Sequence, residues 1–143
     1  MIDLDAPEPK SRKRPVNYNS KSLKWLREQG FTCGRVESYD AYSNRKADLF
    51  GIIDYVAISP SWTVGVQMCG KDFASHIKKI TEERINEATA WLSCPHRELI
   101  LIGWRKLKVK RGGKKEQYQP RIAHFWLNEK GELEWKERPD DTV

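Results

Sequence analysis

Apolar residues recur along the chain with two periods, and the switches between them mark the expected elements. Leu23, Trp25 and Leu26 recur at helical spacing before Gly30, which predicts a helix over residues 19–29 with Ser20 as its N-cap. Residues 31–38 alternate as a strand, and the polar residues 39–46 are expected to form a loop. Residues 49–58, LFGIIDYVAI, are apolar almost throughout and predict one buried strand; Pro60 and Ser61 turn the chain into a hairpin partner, TVGVQM, at residues 63–68. Phe73, Ile77, Ile80, Ile85, Ala88, Trp91 and Leu92 then line one face of a helix over residues 71–92, whose other face carries Lys78, Lys79 and Arg84. Residues 98–104, ELILIGW, have the unbroken hydrophobicity of a strand buried on both faces, so the helix serves as a crossover into it. A basic hairpin or loop around Gly112 and Gly113 follows, then a strand, a turn and a last strand. The fold class expected is α/β in a single domain over residues 18–137, with a flexible basic arm at 1–17 and a frayed tail at 138–143.

One residue breaks this pattern. Asp54 is a carboxylate in the middle of an apolar strand, where an unpaired charge costs several kcal/mol, so a cation, a set of hydrogen bonds or a metal is expected to compensate it. Taken alone, such an Asp is more often tied to backbone or to an arginine, and Gln67 alone is more often a satisfied polar residue.

Charge narrows the partners. With 26 Lys and Arg against 20 Asp and Glu, a formal net charge of +6 favours polyanions, nucleic acid first. No run approaches the roughly 20 apolar residues a membrane span needs, and Cys33, Cys69 and Cys94 are an odd set without a CxxC pair, which points to a reducing cytoplasmic setting without disulfides. Cys94 and His96 lack the second pair of ligands that a zinc site requires, and neither a phosphate-binding glycine loop nor a GxSxG elbow is present.

The order helix, strand, strand with an internal Asp, strand with a polar end, long helix, strand resembles the PD-(D/E)xK nuclease superfamily over residues 20–104. GIIDYVAI presents Asp54, and VQMCGK presents Gln67, with Cys69 where the lysine would stand. The glutamine is similar to the QxK variant of Mrr-like restriction enzymes, and Gly30, Phe31, Arg35 and Ser38 look like the start of Holliday junction resolvases. The resemblance implies a restriction-endonuclease-like core: a helix, a three-stranded meander, a crossover helix and a fourth strand, here with an added C-terminal β-hairpin. It also implies Mg²⁺ or Mn²⁺ held by Asp54, Gln67, the carbonyl of Met68 and a second carboxylate, Glu37 or Asp48. Lys71 becomes the candidate lysine, with Lys46 and Lys79 as alternatives and His76 as a more distant phosphate donor.

The activity so implied is metal-dependent endonucleolytic cleavage of DNA, branched or recombination DNA in particular, by a homodimer at home in a phage and acting in the host cytoplasm. DNA contacts are expected from Lys46, Lys79, Arg105, Lys106, Lys108, Lys110, Arg111, Lys114 and Lys115, which neutralise phosphates without reading sequence. Exposed tryptophans would stack on unpaired bases, although most are expected in the core or its rim. Cys69 leaves two other readings open: a catalytically impaired relative that binds nucleic acid, and a phage interaction module whose charge serves a protein partner.

Overall fold

The computed structural model describes residues 17–138. The arm expected at 1–17 and the tail at 138–143 therefore lie outside the described residues, except for Asn17 and Arg138. The chain folds as a mixed α/β structure: helix α1 (Tyr18–Glu28), strands β1 (Thr32–Arg35), β2 (Ser38–Asp40), β3 (Arg45–Ala47), β4 (Tyr55–Ile58) and β5 (Thr63–Met68), helix α2 (Phe73–Lys78), a π-helical turn (Lys79–Glu83), helix α3 (Ile85–Leu92), and strands β6 (Arg97–Lys108), β7 (Glu116–Leu127) and β8 (Leu133–Glu137).

Six strands form one sheet in the order β1-β4-β5-β6-β7-β8. Only the β5–β6 pair is parallel, as a crossover through α2 and α3 requires; Val66 faces Ile100 and Met68 faces Ile102 across it. β5 and the first half of β6 are buried on both sides. Val64, Val66, Met68, Ile100 and Ile102 pack toward Leu26 of α1, while Leu99 and Leu101 pack toward Ile77, Ile80, Ala88 and Trp91 of the crossover. Gly65 allows this: a Cβ there would lie 2.8 Å from Ile53 Cδ1 and 3.1 Å from the Trp91 ring. The two faces explain why these strands lack polar alternation.

The structure corrects four expectations. Asn17, not Ser20, caps α1, its Oδ1 accepting from the Ser20 N–H at 3.0 Å, because the helix starts earlier than the apolar spacing suggests. Residues 39–46 are not a loop: β2 and β3 pair as an exposed antiparallel hairpin, its turn eased by Asn44 at φ +54°. The apolar run 49–58 is not one strand, since only Tyr55–Ile58 is strand and residues 49–53 fold back on themselves. Finally, the long helix begins at Phe73 and is divided by the π-helical turn at Lys79, where Arg84 donates its N–H to the Lys79 carbonyl at 2.7 Å.

The basic segment is built on regular structure. β6 continues six residues beyond its last β5 partner, Met68, and pairs with β7 down to Lys108 opposite Glu116, so residues 109–115 cap a long hairpin. β5 and β6 run the same way, so this hairpin projects from the sheet end that carries Gln67. None of the described helices is long and apolar enough to cross a membrane.

Candidate active site

Asp54 owes its position to the backbone around it. Its N–H donates to the Val66 carbonyl at 2.9 Å, and its carbonyl accepts from Val36 at 3.0 Å and Glu37 at 3.2 Å. The same bonds that seat Asp54 between β5 and the end of β1 therefore bring in Glu37. Asp48 arrives by another route. Leu49 and Ile53 bond reciprocally, N–H to carbonyl, at 2.8 and 3.0 Å across a turn that holds Phe50 and Gly51 at positive φ. The residues just outside that pair, Asp48 and Asp54, are thereby set side by side. Phe50 is bulky, non-glycine and 55% exposed at φ +55°, a strained conformation that the reciprocal pair holds in place.

Glu37, Asp48 and Asp54 each bring a carboxylate oxygen within 4.8 Å of the other two. Asp54 is the deepest, 7% exposed. Its Oδ2 accepts from Gln67 Nε2 at 2.7 Å and from the Met68 N–H at 2.9 Å. Burial nevertheless pushes its pKa up to about 8, helped by its hydrogen bond to Asp48 and by the negative charges of Asp48 and Glu37, against the lowering effect of the Met68 N–H. Burial pushes Asp48 upward too, but its hydrogen bonds with Asp54, Gln67 and Lys79 and the Lys79 charge outweigh it and hold the group below its ordinary value. Asp54 thus keeps a proton that Asp48 gives up.

Lys79 completes the cluster. Its Nζ donates to Gln67 Oε1 at 3.1 Å and reaches Asp48 Oδ2 at 3.5 Å. Gln67 is therefore a bridge, its amide nitrogen on Asp54 and its amide oxygen on the Lys79 ammonium. Lys79 opens the π-helical turn, and the wider turn is the local feature that accompanies its reach into the sheet end. Lys46 and Arg35 approach Glu37 Oε1 at 3.9 and 3.8 Å from the open side.

The other candidates are placed elsewhere. Lys71 is exposed and lines a cavity with Tyr18, Trp104 and Arg121, without a hydrogen bond to the carboxylates. Cys69 is 6% exposed, packed among Phe73 and Ile77, and its thiol is pushed up to about 12 by burial and then by the charge of Asp72. It brings a donor atom within 4.8 Å of Asp72 and His76, but His76 Nδ1 is already held 3.0 Å from the Asp72 carbonyl oxygen and 3.3 Å from its Oδ2. Lys108, Lys110, Arg111, Lys114 and Lys115 are exposed at the hairpin end, and Lys106 pairs with Glu116 at 3.5 Å. Arg105 is half-buried in the wall of the Lys71 cavity.

No protein-family profile, curated protein or solved structure matches this chain. The site therefore stands on its own chemistry. Three carboxylates around a partly enclosed point are a hard-oxygen donor set suited to a small divalent cation. They fit one on a specific count: Asp54 is held protonated by burial and by its like-charged neighbours, and a cation among them removes both penalties.

Proposed function

We propose that the protein is a divalent-metal-dependent DNA endonuclease with a PD-(D/E)xK-type core. The observation that carries this reading is the convergence of Glu37, Asp48 and Asp54 on one point with the Lys79 ammonium beside them. The fold supports it: α1, the antiparallel meander β1-β4-β5, the α2–α3 crossover and the parallel strand β6 follow the order that such a core requires, with β7 and β8 added at the edge.

In this reading Asp54, Asp48 and Glu37 hold Mg²⁺ or Mn²⁺, which supplies positive charge to draw a phosphodiester and to acidify a nearby water. Lys79 takes the role for which Lys71 was the sequence candidate. Its ammonium donates toward the attacking water or a phosphoryl oxygen and offsets the charge that builds as the new P–O bond forms and the ester P–O bond breaks. Gln67 fixes Lys79 from one side while holding Asp54 on the other, a positioning role in place of the direct ligation first expected of it. The Met68 N–H steadies Asp54, and the Met68 carbonyl is the ligand that the family resemblance adds. The exposed hairpin cations give sequence-independent hold on the backbone.

Cys69 favours one other reading, a DNA-binding relative that has lost cleavage, because a buried thiol replaces the usual lysine. Cleavage of labelled linear, single-stranded and four-way-junction DNA with Mg²⁺ or Mn²⁺ separates the two. Metal-dependent cutting by the native chain that disappears in Asp54→Ala supports the endonuclease. Tight, salt-sensitive binding without cutting supports the impaired relative.

A further inference from the structure

The end of β5 leaves a step in the sheet. The Cys69 N–H still donates to the Ile102 carbonyl at 2.9 Å, but β6 continues to Lys108 without that neighbour. The N-terminus of α1 closes over the step and leaves a cavity of about 460 Å³. In its walls Tyr18, Trp104 and Tyr118 supply aromatic surface, and Lys71, Arg105, Lys106 and Arg121 supply charge.

The aromatic walls are fixed. Trp104 is 8% exposed and donates its indole N–H to Ser22 Oγ at 2.9 Å, which pins it as the floor. Tyr18 meets Tyr118 edge-on with ring centroids 6.3 Å apart. Its ring also lies against Gly70, where a Cβ would sit 2.6 Å from Tyr18 Cε2, so the wall depends on the absence of a side chain. Lys21 and Lys106 place their ammonium groups 4.7 and 5.6 Å from the Tyr118 ring centre. Arg121 is braced by Glu137 through bonds of 2.9 and 3.1 Å and lies over the Phe73 ring at 4.1 Å. Two carboxylates, Glu116 on Lys106 and Glu137 on Arg121, stand against four lining cations, Lys71, Arg105, Lys106 and Arg121.

A cavity of this size, with rigid aromatic faces beside excess positive charge, suits a flat ring carrying an anion. We propose that it receives one unpaired nucleotide of the DNA strand bound at the carboxylate cluster, the base against Tyr18 and Tyr118 and the phosphate toward Lys71 and Arg105. This rests on the reading of the cluster as a DNA site and adds to it the substrate class: DNA with an unpaired nucleotide beside the cut, rather than continuous duplex. Chain continuity supports the placement. Gly70 follows Gln67 by three residues, a span of at most about 10 Å, so the cavity lies within reach of a strand held at the cluster. A paired base cannot enter, because its Watson–Crick edge is paired and both faces are stacked within the duplex.

The test is equilibrium binding of the full-length native chain in EDTA to three fluorescently labelled probes: a blunt duplex, the same duplex with a three-nucleotide overhang, and that overhang with its bases removed. The base-bearing overhang is expected to bind about tenfold more tightly than its abasic twin, within the range for stacking of one base on aromatic side chains. Tyr118→Ala should reduce that preference below about threefold, while Tyr118→Phe keeps it, since the ring is what acts. Equal affinity for the abasic and base-bearing overhangs of the native chain overturns the proposal without reference to any variant's folding. A base preference with no metal-dependent cleavage of any DNA overturns the endonuclease reading and leaves the cavity standing; cleavage without the preference does the reverse.

Discussion

The two sides of the β5 end differ in how they handle charge. At the carboxylate cluster, three acidic groups crowd together, the deepest is forced to keep a proton, and Lys79 is spent on holding Gln67 and Asp48. At the cavity a few residues on, cations stand over aromatic rings and outnumber the carboxylates near them. Crowded acids destabilise a metal-free fold and gain from a cation, whereas cations over rings are already compensated and need no metal. The comparison predicts that cleavage and DNA binding are separable by substitution.

The largest effect is expected at Asp54. On the proposed reading of the cluster as a metal site, Asp54→Asn removes a principal ligand and should lower metal-dependent cleavage at least about 10³-fold. The same change should raise the melting temperature of the metal-free protein by several degrees. The sign follows from the raised pKa: the folded chain keeps a proton that the unfolded chain releases near its ordinary 3.8, so this contribution is full below pH 4 and is lost as pH rises through about 8. Removing the ionisable group relieves a penalty on the order of 2 kcal/mol near neutral pH. Thermal melts in EDTA from pH 5 to 8.5 measure it; a fall in stability at pH 8 for the variant contradicts the crowding argument.

Lys79→Ala should slow cleavage about 10²-fold with little change in DNA affinity, and Lys79→Arg should recover part of the rate. Lys71→Ala should leave the rate on blunt duplex within about threefold, since its side chain lies on the cavity side. Single-turnover rates distinguish them, and the opposite ranking would return the catalytic lysine to Lys71. At the hairpin, replacing Lys108, Lys110 and Lys115 with Ala should weaken binding about tenfold at physiological salt and reduce the salt slope by up to about three, with the cleavage step itself unchanged.

The smallest effect concerns acid stability. Burial, with the Arg138 charge adding to it, lowers the His124 pKa to about 4 from an ordinary 6.5. The unfolded chain then binds a proton that the folded chain refuses, so stability falls as pH drops from 6.5 to about 4 and levels off below. Because His124 is only half-buried, screening limits the loss to about 1 kcal/mol. Denaturant titrations of native protein and His124→Gln at pH 7 and 4.5 should show the difference shrinking in the variant.

Much of the scaffold is legible in the chain because its periods are strong. β5 and β6 are runs buried on both faces, and the crossover shows its apolar stripe even though a π-helical turn divides it. Asp54 is visible for the same reason, a charge where only apolar residues belong. Asp48 is less visible. Its approach to Asp54 depends on Gly51 and Phe50 turning the chain at positive φ, and within LFGIIDYVAI those residues look like more strand. The symmetric spacing of Asp48 and Asp54, three residues on either side of Gly51, was the available signal. Lys79 was visible as one of two alternatives to Lys71 but could not be preferred, since a hydrophobic stripe carries no sign of the π-helical turn that opens at that residue. The cavity could not be seen at all, because Tyr18, Gly70, Trp104 and Tyr118 meet only when α1 closes over the step beside β6.

The central claim is that Glu37, Asp48 and Asp54 form one divalent-cation site, and isothermal titration of the metal-free native chain with Mn²⁺ tests it most directly. The account predicts one saturable site that releases protons near pH 7, as Asp54 ionises on binding, and that is absent in Asp54→Asn. Equal Mn²⁺ affinity in native protein and Asp54→Asn, or no saturable binding in either, would contradict it.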